Sequence, residues 1–250
     1  MSAPEPEPEP APEPAPGASP GTPVGRRLVL GLIGLGAVGV ATGAGIQRWF
    51  DDNLGPIAAK DSTGLASLLP LGNFRLYTVT GEFPSVANAK YRLRVEGLIE
   101  APTVLTLADL EAMPATDLTR DFQCVTGWRV ADVEWRGVLL RDLLDLVGVS
   151  PTAKAVRFTS FDGEYTESLT LEQARRDDVL VAYRLQGAPI GADHGGPVRL
   201  YVAPMYGYKS CKWLDTIELT DRVMVGYWER RGYDPDAWVG RSNGRTDSAT

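Results

Sequence analysis

An uncharged run at residues 28–46 constrains this chain most, because it separates the N-terminal residues from the part that can fold into a domain. The run follows Arg26 and Arg27 and is long enough to span a bilayer. Six glycines interrupt it, and each costs about 1 kcal/mol relative to alanine inside a helix, which disfavours a buried core helix. Two interpretations remain: a membrane anchor with its N-terminus in the cytoplasm, or an export signal of the twin-arginine type, which the segment resembles.

The rest of the chain divides around this run. Residues 1–25 alternate proline with glutamate and alanine, which predicts a disordered tail. Residues 26–46 are the signal or anchor, 47–70 a linker, 71–240 the globular domain, and 241–250 a flexible tail. We therefore expect a domain exported across the cytoplasmic membrane, either released by cleavage or attached to the membrane through residues 28–46.

Hydrophobic periodicity within the domain predicts more strands than helices. Strands are expected at 91–96, 155–161, 164–169, 179–185, 198–203 and 214–219, with a hairpin turn at Asp162-Gly163. Residues 138–147 form an amphipathic helix, and capping-box spacing at Thr106 and Thr170 opens two short ones. Because the strands do not alternate regularly with helices, the fold class is α+β with a mixed, barrel-like sheet.

Charge and rare residues exclude several classes of function. The formal net charge of −7 argues against a nucleic-acid partner, which requires a basic surface. The chain has one histidine and two cysteines, so His-rich metal sites and c-type haem attachment are excluded. Reactive chemistry is therefore expected at Cys124, within Asp121-Phe-Gln-Cys-Val-Thr-Gly-Trp-Arg129.

A basic cluster lies downstream of this cysteine. Arg199, Lys209 and Lys212 supply three cations, and Ser210 adds a hydroxyl, within fourteen residues. Such a set suits an anionic ligand, because arginine grips phosphate bidentately and lysine adds a point charge. The plainer interpretation is a solvated face beside a strand. The presence of both this basic cluster and Cys124, a soft metal ligand, favours a phosphorylated cofactor that carries a metal.

Three alternatives stay open. Cys124 and Cys211 could form a disulfide in an oxidising compartment. Cys124 and His194 occur in the order of a cysteine hydrolase, although no nucleophile signature surrounds the cysteine. The chain could also be an exported binding domain that has kept its fold without chemistry.

Three motifs together resemble the sulfite-oxidase-type molybdopterin oxidoreductases. They are Gln-Cys-Val-Thr-Gly-Trp-Arg at Cys124, His-Gly-Gly-Pro-Val-Arg-Leu at His194, and Lys-Ser-Cys-Lys-Trp-Leu at Lys209. The resemblance covers about residues 71–240 and is closest to the small exported bacterial branch that includes the periplasmic methionine-sulfoxide reductase catalytic subunit. It implies a molybdenum–molybdopterin cofactor whose metal is bound by the Cys124 thiolate.

The resemblance also implies roles for other residues. His194 and Arg199 match contacts to the pterin and its phosphate, and Ser210, Cys211 and Lys212 match a cradle of backbone and lysine. Further cofactor contacts are expected at Thr159 and in the loop of Asn73, Phe74 and Arg75.

Arg129, five residues after the metal cysteine, matches a catalytic arginine that lines the substrate pocket of sulfite oxidases. A surface salt bridge to Asp121 or Asp132 is the alternative. The methionine-sulfoxide branch has a glutamate two residues after the cysteine, where this chain has Thr126, which puts methionine sulfoxide as substrate in doubt.

The implied reaction moves an oxygen atom to or from a small oxyanion or an S- or N-oxide, as molybdenum cycles between its Mo(VI) and Mo(IV) states. Compared with the oxidases of this family, we expect neither their haem domain nor their C-terminal dimerisation domain here. We therefore expect electrons to pass to or from a separate protein, such as a membrane haem protein or a soluble cytochrome.

Overall fold

The computed structural model describes residues 74–248. The predicted disordered tail, the signal or anchor and the linker lie outside the described residues, as do 71–73 and 249–250. Within the described part, no helix has both the length and the apolar character needed to cross a bilayer.

Ten strands and three α-helices make up the described chain. The strands are β1 (Leu93–Gly97), β2 (Thr103–Leu105), β3 (Thr116–Gln123), β4 (Arg129–Leu139), β5 (Ala155–Ser160), β6 (Thr166–Thr170), β7 (Val179–Leu185), β8 (Ala188–Pro189), β9 (Arg199–Val202) and β10 (Leu214–Thr220). The helices are α1 (Leu107–Ala112), α2 (Leu140–Val147) and α3 (Leu171–Ala174). Short 3-10 helices lie at Asn88–Lys90, Ala192–His194, Gly207–Lys209 and Glu229–Arg231.

The strands form two sheets. The first has the order β2-β1-β10-β5-β6, and its β1–β10 pair is parallel with Arg94 opposite Thr216. The second has the order β3-β4-β7-β8, with β9 also paired to β7. All pairs except β1–β10 are antiparallel, so the first sheet is mixed. The predicted α+β class with mixed sheets is confirmed.

Helix starts follow the predicted capping chemistry. The Thr106 hydroxyl accepts a hydrogen bond from the Asp109 amide, and the Asp109 carboxylate accepts one from the Thr106 amide. Thr170 and Gln173 form the same reciprocal pair at α3. These bonds satisfy amides at the helix N-terminus that have no partner within the helix.

Two clusters of buried apolar residues hold the sheets together. The larger includes the apolar face of α2, namely Leu140, Leu143, Leu144 and Val147. The smaller lies on the β3–β4 hairpin and is built from aromatic rings, including Phe122, Trp128, Trp135 and Tyr201. Trp135 and Tyr201 stack with ring centroids 4.3 Å apart, which fixes the hairpin against β9.

The structure contains four strands that the sequence did not predict, namely β2, β3, β4 and β8. The β3–β4 hairpin was not predicted, yet it carries Cys124 in its turn. The flexible tail is predicted from residue 241, and its described part, residues 241–248, packs beside this hairpin with Ser242 and Arg245 buried. Its flexibility stays a prediction.

Candidate active site

Cys124 lies in the turn that joins β3 to β4. Its amide donates to the Trp128 carbonyl, and its carbonyl accepts from the Gly127 amide. The Sγ atom lies 3.2 Å from the Thr126 hydroxyl. Both cysteines of the chain are free, so the disulfide alternative is not formed.

The charged groups that act on Cys124 are cations. Burial raises the pKa of the Cys124 thiol, whereas the Thr126 hydrogen bonds and the charges of Arg75 and Arg245 lower it. Burial also raises the pKa of Tyr233, and the negative charge of a Cys124 thiolate raises it further, so this phenol is close to the cysteine. The sequence did not single out Tyr233 or Arg245.

Aromatic contacts join the cysteine turn to the predicted cofactor cradle. The cradle consists of His194, Arg199, Ser210, Cys211 and Lys212. The Phe74 ring lies 4.9 Å from the His194 ring, 5.4 Å from Phe122 and 6.5 Å from Trp128, measured between centroids. Phe122 also packs on Gly207, where any Cβ would overlap its ring, so glycine is required there. The turn and the cradle are therefore neighbours on one side of the fold.

Arg199 is buried at the centre of the cradle. Its Nη1 donates to the His194 carbonyl at 2.7 Å, and its Nη2 donates to the Ser210 carbonyl at 3.0 Å. The guanidinium also lies over the rings of Phe122 and Trp135. These contacts fix the backbone on both sides of the cradle. Binding of a phosphate by Arg199 stays a prediction.

Lys212 connects the cradle to the first described segment. Its Nζ donates to the carbonyls of Tyr77 and Asp193, at 3.1 and 2.9 Å. Burial, followed by the charge of Arg199, lowers the pKa of Lys212 to about 7. Burial is also the main cause that lowers the pKa of His194. An anionic group bound here would favour the charged form of the Lys212 amine.

The structure does not bring every predicted residue to this site. Lys209 points instead into a buried group with Glu167 and Glu229, which corrects its assignment to the anion-binding cluster. Thr159 lies on β5 between Thr166 of β6 and Thr216 of β10, and no hydrogen bond of the described residues links it to the cradle. Asn73 lies outside the described residues.

Cys211 contributes through its backbone carbonyl, and Ser210 contributes through its side-chain hydroxyl. Cys211 is fully buried, and its carbonyl accepts from the Leu200 amide. The Ser210 hydroxyl accepts from the Val202 amide at 3.0 Å. Both residues therefore hold the cradle against β9.

Arg129 is held in an ion pair. Its Nε lies 3.1 Å from Asp121 Oδ2, and the arginine side chain is 49% exposed. The Asp121 carboxylate also accepts the Asp132 amide, which fixes its position. Arg129 therefore makes the salt bridge that the alternative interpretation predicted.

The side chains present fit a metal-bearing anionic group. Cys124 offers one soft sulfur, and Lys212 supplies positive charge in the neighbouring cradle. Trp128 Nε1 is a buried donor without an acceptor among residues 74–248, so an acceptor atom of a bound group would satisfy it. In the same range, no cluster of three or more His, Cys, Asp or Glu side chains could hold a metal ion.

Sequence comparison identifies the family. Residues 80–228 match the family described as the oxidoreductase molybdopterin binding domain. The chain is 36% identical over 155 residues to the uncharacterized oxidoreductase YuiH of Bacillus subtilis, covering 62% of this chain and 78% of that protein. It is 32% identical over 199 residues to a putative protein-methionine-sulfoxide reductase subunit, YedZ1, of Azospira oryzae, covering 79% of this chain and 72% of the relative.

More distant relatives support the same family assignment. A sulfite oxidase of Arabidopsis thaliana is 31% identical over 188 residues, which cover 61% of this chain and 48% of the plant protein. The fold is similar to that of the sulfane dehydrogenase SoxCD from Paracoccus pantotrophus, with a TM-score of 0.53 and 24% identity over 61% of this chain and 46% of that one. The chain belongs to the sulfite-oxidase-type molybdopterin oxidoreductases, and it is a molybdenum-dependent enzyme with a molybdenum–molybdopterin cofactor.

Proposed function

We propose that this protein catalyses oxygen-atom transfer on a small sulfur- or nitrogen-containing substrate and exchanges electrons with a separate redox protein. The observation that carries the proposal is the position of Cys124, a soft sulfur in a tight turn beside a cradle of buried and half-buried cations. When bound, the molybdenum cofactor supplies two-electron redox chemistry and the transfer of an oxygen atom.

The protein's own contribution is to bind and orient. Cys124 would ligate the metal, and the Thr126 hydroxyl beside its sulfur would hydrogen-bond to the thiolate. Within the cradle, His194, Arg199 and Lys212 would bind the anionic part of the cofactor, and Phe74 packs against His194. The buried rings of Phe122 and Trp128 would keep water away from the side of the site that faces the apolar core.

The residues beside the cysteine favour an anionic or strongly polar substrate. The methionine-sulfoxide branch that this chain resembles has a glutamate at the position of Thr126, and a neutral hydroxyl there removes one negative charge. Arg75 and Arg245 add positive charge near the sulfur. A small oxyanion therefore fits this site better than a methionine-sulfoxide side chain. Other S- and N-oxides are the second candidates.

The geometry gives little support to a cysteine hydrolase. Such an enzyme needs its base within hydrogen-bonding reach of the nucleophile. Cys124 Sγ contacts the Thr126 hydroxyl, and the His194 ring packs on Phe74, with its Nε2 3.9 Å from Asp193 Oδ2. No hydrogen bond between Cys124 and His194 occurs among the described residues.

We also infer that the protein works outside the cytoplasm with a haem protein as electron partner. The paired arginines and glycine-rich run at residues 26–46 support export, by a route that carries folded proteins with their cofactor in place. Fractionation of cells that express the full chain would test this location.

Metal analysis and an activity panel test the main proposal. Protein purified from a cofactor-competent host should contain about one molybdenum per chain, and reduction or oxidation of the metal should follow addition of sulfite or an S- or N-oxide. Fully metal-loaded protein that reacts with none of these compounds would contradict the proposed reaction while leaving the family assignment in place.

A further inference from the structure

The segment 241–248 places a second arginine over the cysteine turn. Gly127, three residues after Cys124, has a positive φ of 101° and lies directly beneath the Arg245 guanidinium. A Cβ at Gly127 would lie 3.1 Å from Arg245 Nη2 and 3.4 Å from Nη1. Only a residue without a side chain lets the cation approach this closely without displacement.

A carboxylate clamp fixes the orientation of this arginine. Arg245 Nε and Nη2 donate to the two oxygens of Asp247, at 2.8 and 2.9 Å. Asp247 also accepts a hydrogen bond from the Tyr206 hydroxyl at 2.6 Å. The clamp uses Nε and Nη2, so the two N–H groups of Nη1 lie outside it, and the Tyr206 hydroxyl is a further partner of the guanidinium.

The segment is also tied directly to the strand that ends at the cysteine. Gln123, the residue before Cys124, donates from its side-chain amide to the Ser248 carbonyl at 3.2 Å. The side chain of Arg245 is only 7% exposed, whereas that of Arg129 is 49% exposed and paired with Asp121. Arg245 is therefore buried against the turn, whereas Arg129 is exposed and paired at the start of β4.

We propose that Arg245, rather than Arg129, is the specificity-determining cation of the substrate site, and that it selects a small oxyanion such as a sulfur oxyanion. This inference rests on the proposed function. A guanidinium held in plane by a carboxylate presents its remaining donors in a fixed fork, which suits a tetrahedral or pyramidal oxyanion.

The local charges support this choice. Arg245 and Asp247 form an ion pair beside the cysteine turn, so the orientation of the arginine charge is fixed there. Arg129 is paired with Asp121 instead.

Binding of inorganic sulfate to the full chain tests the inference without turnover. Equilibrium dialysis with radiolabelled sulfate, at constant ionic strength, would compare wild type with Arg245→Gln, Arg245→Lys and Arg129→Gln. We expect Arg245→Gln to weaken sulfate binding at least about tenfold, Arg245→Lys to recover part of the affinity, and Arg129→Gln to change it less than about twofold.

Two controls separate this result from misfolding and from failure of the proposed function. Molybdenum content and circular dichroism should match wild type in all three variants, because Arg245 is not among the predicted cofactor contacts. Equal losses in Arg129→Gln and Arg245→Gln, or a wild type that binds no sulfate, would overturn the inference. Metal-loaded wild type that still reacts with an S- or N-oxide would leave the proposed function intact.

Discussion

Lys209 Nζ lies 2.6 Å from Glu167 Oε1 and 2.7 Å from Glu229 Oε1, and all three side chains are buried. The other oxygen of each carboxyl group, Oε2, has no hydrogen-bond partner among the described residues. Burial, followed by the charge of Glu229, raises the pKa of Glu167 to about 8, although Lys209 opposes this. One proton on Glu167 makes the three-residue group neutral and gives Glu229 a donor, so we expect Glu167 to be protonated at neutral pH.

This protonation predicts a fall in stability with rising pH. Glu167 has a higher pKa in the folded protein than its ordinary value of 4.5. Its contribution to stability is therefore complete below about pH 4.5 and is lost as pH rises through about 8. The slope is at most about 1.4 kcal/mol per pH unit from this one group. Urea unfolding between about pH 5 and pH 9 measures it.

Glu167→Gln should flatten this pH dependence, because the glutamine amide replaces the protonated carboxyl as donor to Glu229. Glu172→Gln, at an exposed position of α3, is the matched control and should keep the wild-type slope. Equal slopes in wild type and Glu167→Gln would show that Glu167 is ionised in the folded protein.

Replacing Cys124 with alanine should remove one sulfur from the metal. We expect X-ray absorption at the molybdenum edge to show one fewer sulfur ligand in Cys124→Ala than in wild type, with the fold retained. Cys211→Ala is the control, because Cys211 is buried behind the cradle and is not a predicted metal ligand. An unchanged sulfur count in Cys124→Ala would mean that the thiolate does not bind the metal.

Lys212→Met should weaken retention of the cofactor. The ammonium is held by two backbone carbonyls beside the cradle, and methionine keeps the length of the side chain without its charge. We expect molybdenum content to fall about fivefold or more after dialysis. Lys154→Met, at an exposed position before β5, should retain wild-type content. Full retention in Lys212→Met would place the anionic part of the cofactor elsewhere.

Thr126→Glu should weaken binding of a small oxyanion. A carboxylate would stand beside Cys124 and oppose the charges of Arg75 and Arg245. We expect the affinity for sulfate to fall about tenfold, whereas Thr126→Gln, which has the same size without the charge, should stay near wild type. Similar losses in both variants would attribute the effect to side-chain size.

Local sequence signals predicted several elements correctly. The amphipathic pattern at 138–147 corresponds to α2 (Leu140–Val147), and the reciprocal caps at Thr106 and Thr170 are formed. The hairpin turn at Asp162-Gly163 joins β5 to β6. These features depend on residues within a few positions of one another, so local chemistry is enough to specify them.

The β3–β4 hairpin was not predicted from the sequence, and the reason is physical. Arg120, which lies between Leu118 and Phe122 on the same face, breaks the apolar alternation of β3. Register shifts also interrupt both the β3–β4 and the β4–β7 pairing. The hairpin is stabilised by distant partners, such as the stacking of Trp135 on Tyr201 of β9. Such contacts depend on pairings that periodicity within one segment does not report.

By itself, the sequence determined the α+β class, the cysteine available to a metal and the family of the enzyme, because these depend on local patterns and on rare residue types. Only the tertiary structure decided which cations lie near that cysteine. It turned Lys209 toward Glu167 and Glu229, paired Arg129 with Asp121, and brought Arg245 over Gly127 from more than a hundred residues away. Burial and the positions of the opposite charges set these pairings, and both arise only when distant segments pack together.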